Sequence, residues 1–236
     1  MKLDVLKTLE SSLSPQDDFA CPKCKEMWGY KAKMESGLCM ECDKERIRQE
    51  EAVKERRLEV VKLIGGGSIF EKTAWEKIKV TPLNQKAVEA CKAFRPDTDN
   101  LFLWGECGRG KTLLAKAVAR YNALQGAKVS IETTSTLSRK TRGLEGSKEQ
   151  EMVDRFCEAD IFILDDLGRG NVTPTMLSIL CEVLDSRFDN NRQGFIATSN
   201  CNLAKLAMAL GDDRLTSRLL GCRSIEVKGS DWRLNK

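Results

Sequence analysis

Leu101-Phe-Leu-Trp-Gly-Glu-Cys-Gly-Arg-Gly-Lys-Thr112 joins an apolar run to a glycine-rich loop, and from Gly105 to Thr112 it fits G-x-x-x-x-G-K-[ST]. The helix-forming segment Leu113-Leu-Ala-Lys-Ala-Val-Ala-Arg120 follows directly. That context gives the motif a mechanism. A strand ends, a loop turns its backbone N–H groups toward phosphates, and a helix N-terminus adds the positive end of its dipole. The expected nucleotide loop is Gly105, Glu106, Cys107, Gly108, Arg109, Gly110, Lys111 and Thr112. Lys111 is expected to reach the β- and γ-phosphates of ATP, and the Thr112 hydroxyl to complete a Mg²⁺ shell.

Further along, Ile161-Phe-Ile-Leu-Asp-Asp166 ends a buried apolar strand in two carboxylates. Behind a phosphate loop, Asp165 is expected to hold Mg²⁺ through its water shell and Asp166 to polarise an attacking water. Neighbouring residues on a strand face opposite ways, so both can serve only where the strand frays. Asn200 closes the run Phe195-Ile-Ala-Thr-Ser-Asn, where a neutral amide can orient the same water; the alternative is an Asn that only turns the chain.

The rest of this half alternates between the two periodicities. Strands are predicted over Lys128–Glu132, Asp160–Asp166, Gly194–Asn200 and Arg223–Lys228, and helices over Gln150–Cys157, Thr173–Phe188 and Leu203–Leu210, with a polar stretch running through Ser147. Apolar strands alternating with helices specify a parallel sheet covered on both faces.

Toward the N-terminus the character changes. Leu3, Val5, Leu6, Leu9 and Leu13 recur at helical spacing before Ser14-Pro15. Cys21-Pro-Lys-Cys24 and Cys39-Met-Glu-Cys42 are two C-x₂-C hooks separated by residues 25–38. With no histidine in the chain, Cys21, Cys24, Cys39 and Cys42 can bind zinc only as a tetrathiolate, a closed structural site; reduced or redox dithiols are the alternative. Residues 43–62 alternate in charge without Gly or Pro and read as an exposed helix laced by i,i+4 pairs. Gly65-Gly-Gly67 reads as a hinge, which sets boundaries at residues 1–62, 63–68 and 69–236.

Composition bounds the rest. The 236 residues are 41% apolar and 31% charged, the mixture of a globular protein long enough for one sizeable core. The formal charge of +4 is small, and a zinc tetrathiolate lowers it further, so a nucleic-acid site must rest on local patches. Ten cysteines behind an N-terminus without an apolar leader suggest a reducing, cytoplasmic setting, and no segment is long enough to span a bilayer. The absence of histidine excludes Ser-His-Asp and Cys-His catalysis and leaves carboxylates, lysine, arginine and metal.

Two further segments have open readings. In Gly211-Asp-Asp-Arg-Leu-Thr-Ser-Arg-Leu219, Arg214 and Arg218 fall on one helical face; they are either a polar surface or guanidinium groups aimed at a neighbour's γ-phosphate. Arg139, Lys140 and Arg142 lie in a basic, hydroxyl-rich stretch without aromatics, suited to tracking a nucleic-acid backbone or to simple solvation.

In this order and spacing, GECGRGKT, IFILDDLG, GFIATSN and DDRLTSRLLG resemble the AAA+ ATPases of the bacterial and phage replicative helicase loader family, the DnaC and DnaI type. The resemblance covers residues 69–236 and extends to the related IstB transposition helpers. It implies an AAA+ P-loop fold with a five-stranded parallel sheet and no full C-terminal lid, preceded here by the Cys₄ module. It further implies Asn200 as sensor 1, Arg218 as an arginine finger with Arg214 beside it, and Arg233 in Gly229-Ser-Asp-Trp-Arg233 as sensor 2. The expected activity is slow, switch-like ATP hydrolysis by subunits that associate through the ATP site, the expected partners being a hexameric replicative helicase and single-stranded DNA. The chain departs from the pattern in its all-cysteine, shorter N-terminal module. A transposition helper and a non-hydrolysing ATP-dependent adaptor are the rival expectations.

Overall fold

The computed structural model describes residues 18–29, 33–144, 146–168, 172–190, 192–211 and 213–231. The amphipathic pattern of Leu3, Leu6 and Leu13 and the sensor candidate Arg233 lie outside the described residues. The chain divides into two units, Met1–Leu58 and Glu59–Lys236.

In the first unit, strand β1 (Asp18–Ala20) pairs antiparallel with β2 (Met27–Gly29), with Phe19 opposite Trp28. The connecting turn is closed by Lys25 N–H donating to the Cys21 carbonyl at 2.8 Å, and Lys25 takes a left-handed φ of 65° to do so. Helix α1 (Met40–Ile64) begins one residue after Cys39. Its charged face carries the expected short-range pairs, including Arg46 with Glu50 at 2.7 Å. Such exposed pairs contribute only a few tenths of a kcal/mol each, ~0.3–0.5.

The triple glycine does not mark the division between units. Val60 and Ile64, near the end of α1, are buried in the core of the second unit. Gly65 and Gly66, at φ of 102° and 110°, turn the chain into α2 (Gly67–Lys72), which already includes the third glycine.

The second unit is built on a parallel sheet of β3 (Leu101–Trp104), β4 (Val129–Thr133), β5 (Ile161–Leu167), β6 (Phe195–Ser199) and β7 (Arg223–Glu226), in the spatial order β4-β5-β6-β3-β7. Alternation along each strand sorts side chains onto two cores. Leu101, Leu103, Ile161, Ile163 and Ile196 pack on one face with α3 (Gln85–Lys92) and α4 (Lys111–Leu124). Phe102, Phe162, Leu164, Phe195 and Ala197 pack on the other with α6 (Ser147–Glu158) and α7 (Pro174–Asp189). There Phe162 stacks on Phe156, ring centroids 4.5 Å apart, and tilts against Phe195. Two shorter helices, α8 (Leu203–Leu210) and α9 (Arg214–Leu219), precede β7, and among the described residues no helix follows it.

One element departs from the sequence expectation. The polar stretch after β4 holds helix α5 (Thr134–Lys140), started by the Thr133 hydroxyl accepting from Thr136 N–H at 3.0 Å. Its inner side buries Thr134, Leu137 and Ser138. A second feature gave no sequence signal. Arg187 on α7 is almost wholly buried and donates to the carbonyls of Phe156 and Ala159, at 2.9 and 2.6 Å, and to that of Gln193. It thereby ties the loops entering β5 and β6; burial lowers its guanidinium pKa from the ordinary arginine value.

Candidate functional site

The phosphate-loop residues converge where the parallel strands end. Gly105 N–H continues the sheet by donating to Ser199 O at 3.2 Å. Gly110, with a left-handed φ of 93°, precedes α4 and sets its first turn against the loop. Lys111, 5% exposed, folds its ammonium back onto the carbonyls of Gly105 and Glu106 at 2.7 and 2.8 Å and onto Asn200 Oδ1 at 2.8 Å. Backbone oxygens and an amide oxygen thus hold the ammonium at the loop, where a polyphosphate would meet it. Asn200 therefore does more than turn the chain: it holds the loop lysine.

Thr112 Oγ1 donates to Asp165 Oδ1 at 2.8 Å, so the hydroxyl and carboxylate expected to share a cation already meet. Thr198 Oγ1 donates to the same oxygen at 2.6 Å. Burial raises the Asp165 carboxyl above the usual carboxylate range, against the lowering by the Thr198 and Thr112 hydroxyls, and the charge of Asp166 adds to the rise. A buried carboxylate whose ionisation is disfavoured is one that a divalent cation would relieve.

Asp166 sits in a bulge, not at a frayed strand end. Strand β5 continues to Leu167, but its register with β6 slips between Leu164 and Leu167, and Asp166 takes a φ of 61°. Two threonines fix this uncommon backbone. Thr198 Oγ1 accepts from Asp166 N–H at 3.0 Å, and Thr134 Oγ1 donates to the Asp166 carbonyl at 3.0 Å. Neither Thr134 nor Thr198 stood out in the sequence. Thr198 falls two residues before Asn200 on the same strand face, and that spacing was the available signal.

Around the rim, Arg109 pairs with Glu106 and donates to the Gly229 carbonyl; the Arg109 hydrogen bond, then its charge, lower the Glu106 pKa. Cys107 is exposed. Arg218 is gripped at two points by Asp185 of α7, Nε donating at 2.5 Å, while its Nη1 donates to Arg214 O at 2.8 Å. Arg214 is exposed at the start of α9. On α5, Lys140 pairs with the buried Glu132 at 2.6 Å, an acid also met by Arg155 at 3.2 Å, whereas Arg139 and Arg142 are exposed.

The thiol cluster belongs to the first unit. The Sγ atoms of Cys21, Cys24, Cys39 and Cys42 all lie within 4.8 Å of one another, Cys24 and Cys39 at 3.9 Å. Tetrahedral zinc–thiolate bonds require sulfur separations of about 3.8 Å, so the set fits zinc with small adjustment. Burial pushes the Cys42 thiol up to about 12. At Cys21 burial acts in the same sense, but hydrogen bonds from the Cys39, Cys24 and Lys23 backbone outweigh it and bring the thiol down to about 6. Ser36 and Arg46 hold Asp43 ionised beside the cluster, Ser36 Oγ donating at 2.6 Å.

The profile of the IstB-like ATP binding protein family matches residues 13–236. A curated relative, the uncharacterized protein YdaV of Escherichia coli (strain K12), is 26% identical over 141 residues, 58% of this chain and 56% of its own length. Thus the chain spans little more than half of that relative. Among solved structures, AMPPCP-bound DnaA from Aquifex aeolicus superposes with a TM-score of 0.59 at 21% identity, over 69% of this chain and 52% of that one. DnaI gives 0.58 at 22%, over 70% and 92%, and the DnaC helicase loader 0.56 at 19%, over 67% and 98%. At these identities the likeness establishes the AAA+ fold. Among the described residues no helix is long and apolar enough to cross a membrane.

Proposed function

This chain belongs to the IstB-like ATP-binding protein family, and on that premise we propose that it is a slow, switch-like ATPase that loads a hexameric replicative helicase onto single-stranded DNA. The observation that carries the reading is the assembled set of Lys111, Asn200, Thr112 and Asp165, with Asp166 next to Asp165 in the β5 bulge.

Mg²⁺, held by Thr112 and Asp165, neutralises phosphate charge when bound. Lys111 binds the β- and γ-phosphates. Asp166 orients and polarises the attacking water, with Asn200 beside it, and Arg233 contacts the nucleotide as sensor 2. Arg218 acts on a neighbouring subunit's γ-phosphate, exchanging its grip on Asp185 for phosphate oxygens, with Arg214 next to it. Zinc on the four cysteines is structural, and the N-terminal unit is the part that engages the helicase. Arg139, Lys140 and Arg142 supply electrostatic contacts to the DNA backbone, with Lys140 least available because of Glu132. The setting is cytoplasmic.

The family profile itself favours a second reading, a transposition helper that binds duplex DNA and a transposase. Helicase loading onto closed-circular single-stranded DNA, with wild-type protein, Lys111→Ala and Cys39→Ser plus Cys42→Ser, separates the two. Loading that requires ATP, Lys111 and the thiolates supports the loader. No loading, with tighter binding to duplex than to single strands, moves the assignment to the transposition helper.

A further inference from the structure

Strand β6 answers the bulge in β5 with a single residue. The two strands pair at Leu164 with Ala197 and again at Leu167 with Ser199, so Asp165 and Asp166 together stand opposite Thr198 alone. In an unbroken register Asp166 would have paired with Ser199. Instead the Ser199 hydroxyl donates to the Leu167 carbonyl at 2.7 Å and closes the bulge on its far side.

One hydroxyl therefore serves both acids. Thr198 Oγ1 donates to Asp165 Oδ1 at 2.6 Å and accepts from Asp166 N–H at 3.0 Å. The hydroxyl has one proton, and it goes to the carboxylate at the short separation of a charge-assisted bond. Thr112 donates to the same carboxylate oxygen, but its own oxygen is the expected cation ligand. Thr134, the other support of the left-handed backbone at Asp166, touches only main-chain oxygens, those of Asp165 and Asp166. Thr198 alone joins the Asp165 carboxylate to the Asp166 backbone through a single atom.

We propose that Thr198 is a positioning residue that links the cation ligand to the acid beside it. Its hydroxyl orients the Asp165 carboxylate for Mg²⁺ and, through the same oxygen, fixes where Asp166 stands. The proposal rests on the nucleotide-site reading above. Thr198 is fully buried, so it acts only through its two neighbours. Cation affinity then depends on it through Asp165, and turnover through Asp166.

The test compares Thr198→Val, which removes the hydroxyl, with Thr198→Ser, which keeps it, in full-length protein. Binding of a ribose-labelled fluorescent ADP is titrated with Mg²⁺, and ATP hydrolysis is followed at saturating Mg²⁺. Without Mg²⁺ both variants should bind labelled ADP within about twofold of wild type, since the phosphate loop is untouched. In Thr198→Val the Mg²⁺ concentration for half-saturation should rise about tenfold, the loss expected of one hydrogen bond to a charged group. Its kcat should fall about tenfold, with KM for ATP little changed. Thr198→Ser should restore both. Thr198→Val combined with Asp166→Asn should be no slower than Asp166→Asn alone, because the hydroxyl reaches turnover only through Asp166.

An unchanged Mg²⁺ requirement in Thr198→Val overturns the proposal, as does a fall in kcat that persists in full beside Asp166→Asn. Thr198→Ser as impaired as Thr198→Val would mark a packing role and overturn it too. Should Thr198→Val fail to fold, Thr198→Cys, with its weaker donor, takes its place, and wild-type behaviour of that variant is the overturning result. Lys111→Ala separates the two levels. If it binds labelled ADP as tightly as wild type, the nucleotide-site reading fails and the role of Thr198 with it. If it loses binding while Thr198→Val matches wild type, only the role of Thr198 fails.

Discussion

The two units solve the problem of stability by different means. The second buries two aliphatic and aromatic layers against a five-stranded sheet, so its fold follows from apolar area. In the first, a three-residue hairpin and the start of a charged helix meet around four sulfurs. A hairpin of that size has too little apolar surface to offset its ordering entropy, so on the proposed reading its organising contact is the metal that the four sulfurs would hold. One unit specifies itself through many weak contacts, the other through four strong ones.

That contrast breaks most visibly when zinc is removed. Chelation, or Cys39→Ser with Cys42→Ser, should unfold the first unit entirely, since structural zinc supplies on the order of 10–16 kcal/mol of apparent binding free energy to such modules. The melting of the second unit should stay in place. Zinc analysis with limited proteolysis around residues 18–58 reads both, and an intact, protease-resistant module without metal would contradict the comparison.

The reverse experiment is Phe162→Ala. Phe162 is fully buried between Phe156 and Phe195, so truncation should cost the second unit about 3–5 kcal/mol in denaturant unfolding and leave one zinc per chain. Loss of zinc from this variant would mean that the units are not independent.

Smaller in energy, but sharper for chemistry, is Asp166→Asn. Asparagine tolerates the left-handed backbone of Asp166, so the substitution removes charge without disturbing the bulge. ATP binding should change by less than about twofold while hydrolysis slows at least about tenfold. Equal hydrolysis by the variant would transfer the water-orienting role to Asn200.

The smallest effect concerns Asp165. Because its pKa is raised in the fold, the native state binds the proton more tightly than the unfolded chain does. Wild-type stability without nucleotide should therefore fall as pH rises from the ordinary carboxylate range through the raised value, and that increment stays lost at neutral pH. Asp165→Asn should remove this dependence and raise the melting temperature at pH 7, while abolishing Mg²⁺-dependent hydrolysis. A lower melting temperature for the variant would mean that the Thr112 and Thr198 hydrogen bonds outweigh the cost of burying the charge.

These residues also mark how far the sequence could be read. Strands β3, β5 and β6 were legible because runs such as Ile161–Leu164 are apolar on both faces, and the loop from Gly105 to Thr112 was legible because its chemistry is local. The four cysteines were legible for the same reason. Helix α5 was hidden because Thr-Ser-Thr has weak helical propensity; its start depends on a Thr133 cap, and its apolar contact rests largely on Leu137. Thr198, Thr134 and Asp185 were hidden because each acts on a residue distant in the chain. Asp185 meets Arg218 only through the packing of α7 against α9. That the helix end before Gly65–Gly67 is buried was hidden because the packing of Val60 and Ile64 depends on a core that the local charge pattern does not reveal.

The position of β3 has a consequence for how the protein is made. The strand that carries the nucleotide loop is flanked by β6 and β7, both of which follow it in the chain. While the polypeptide is being synthesised, Leu101–Trp104 therefore emerges with no in-sheet neighbour and stays a bare apolar edge until residues 195–199 and then 223–226 have appeared. A nascent chain stalled before β7 cannot yet form the loop's anchor between Val227 N–H and Trp104 O. The loop therefore reaches its full set of backbone contacts only after both β6 and β7 have joined β3.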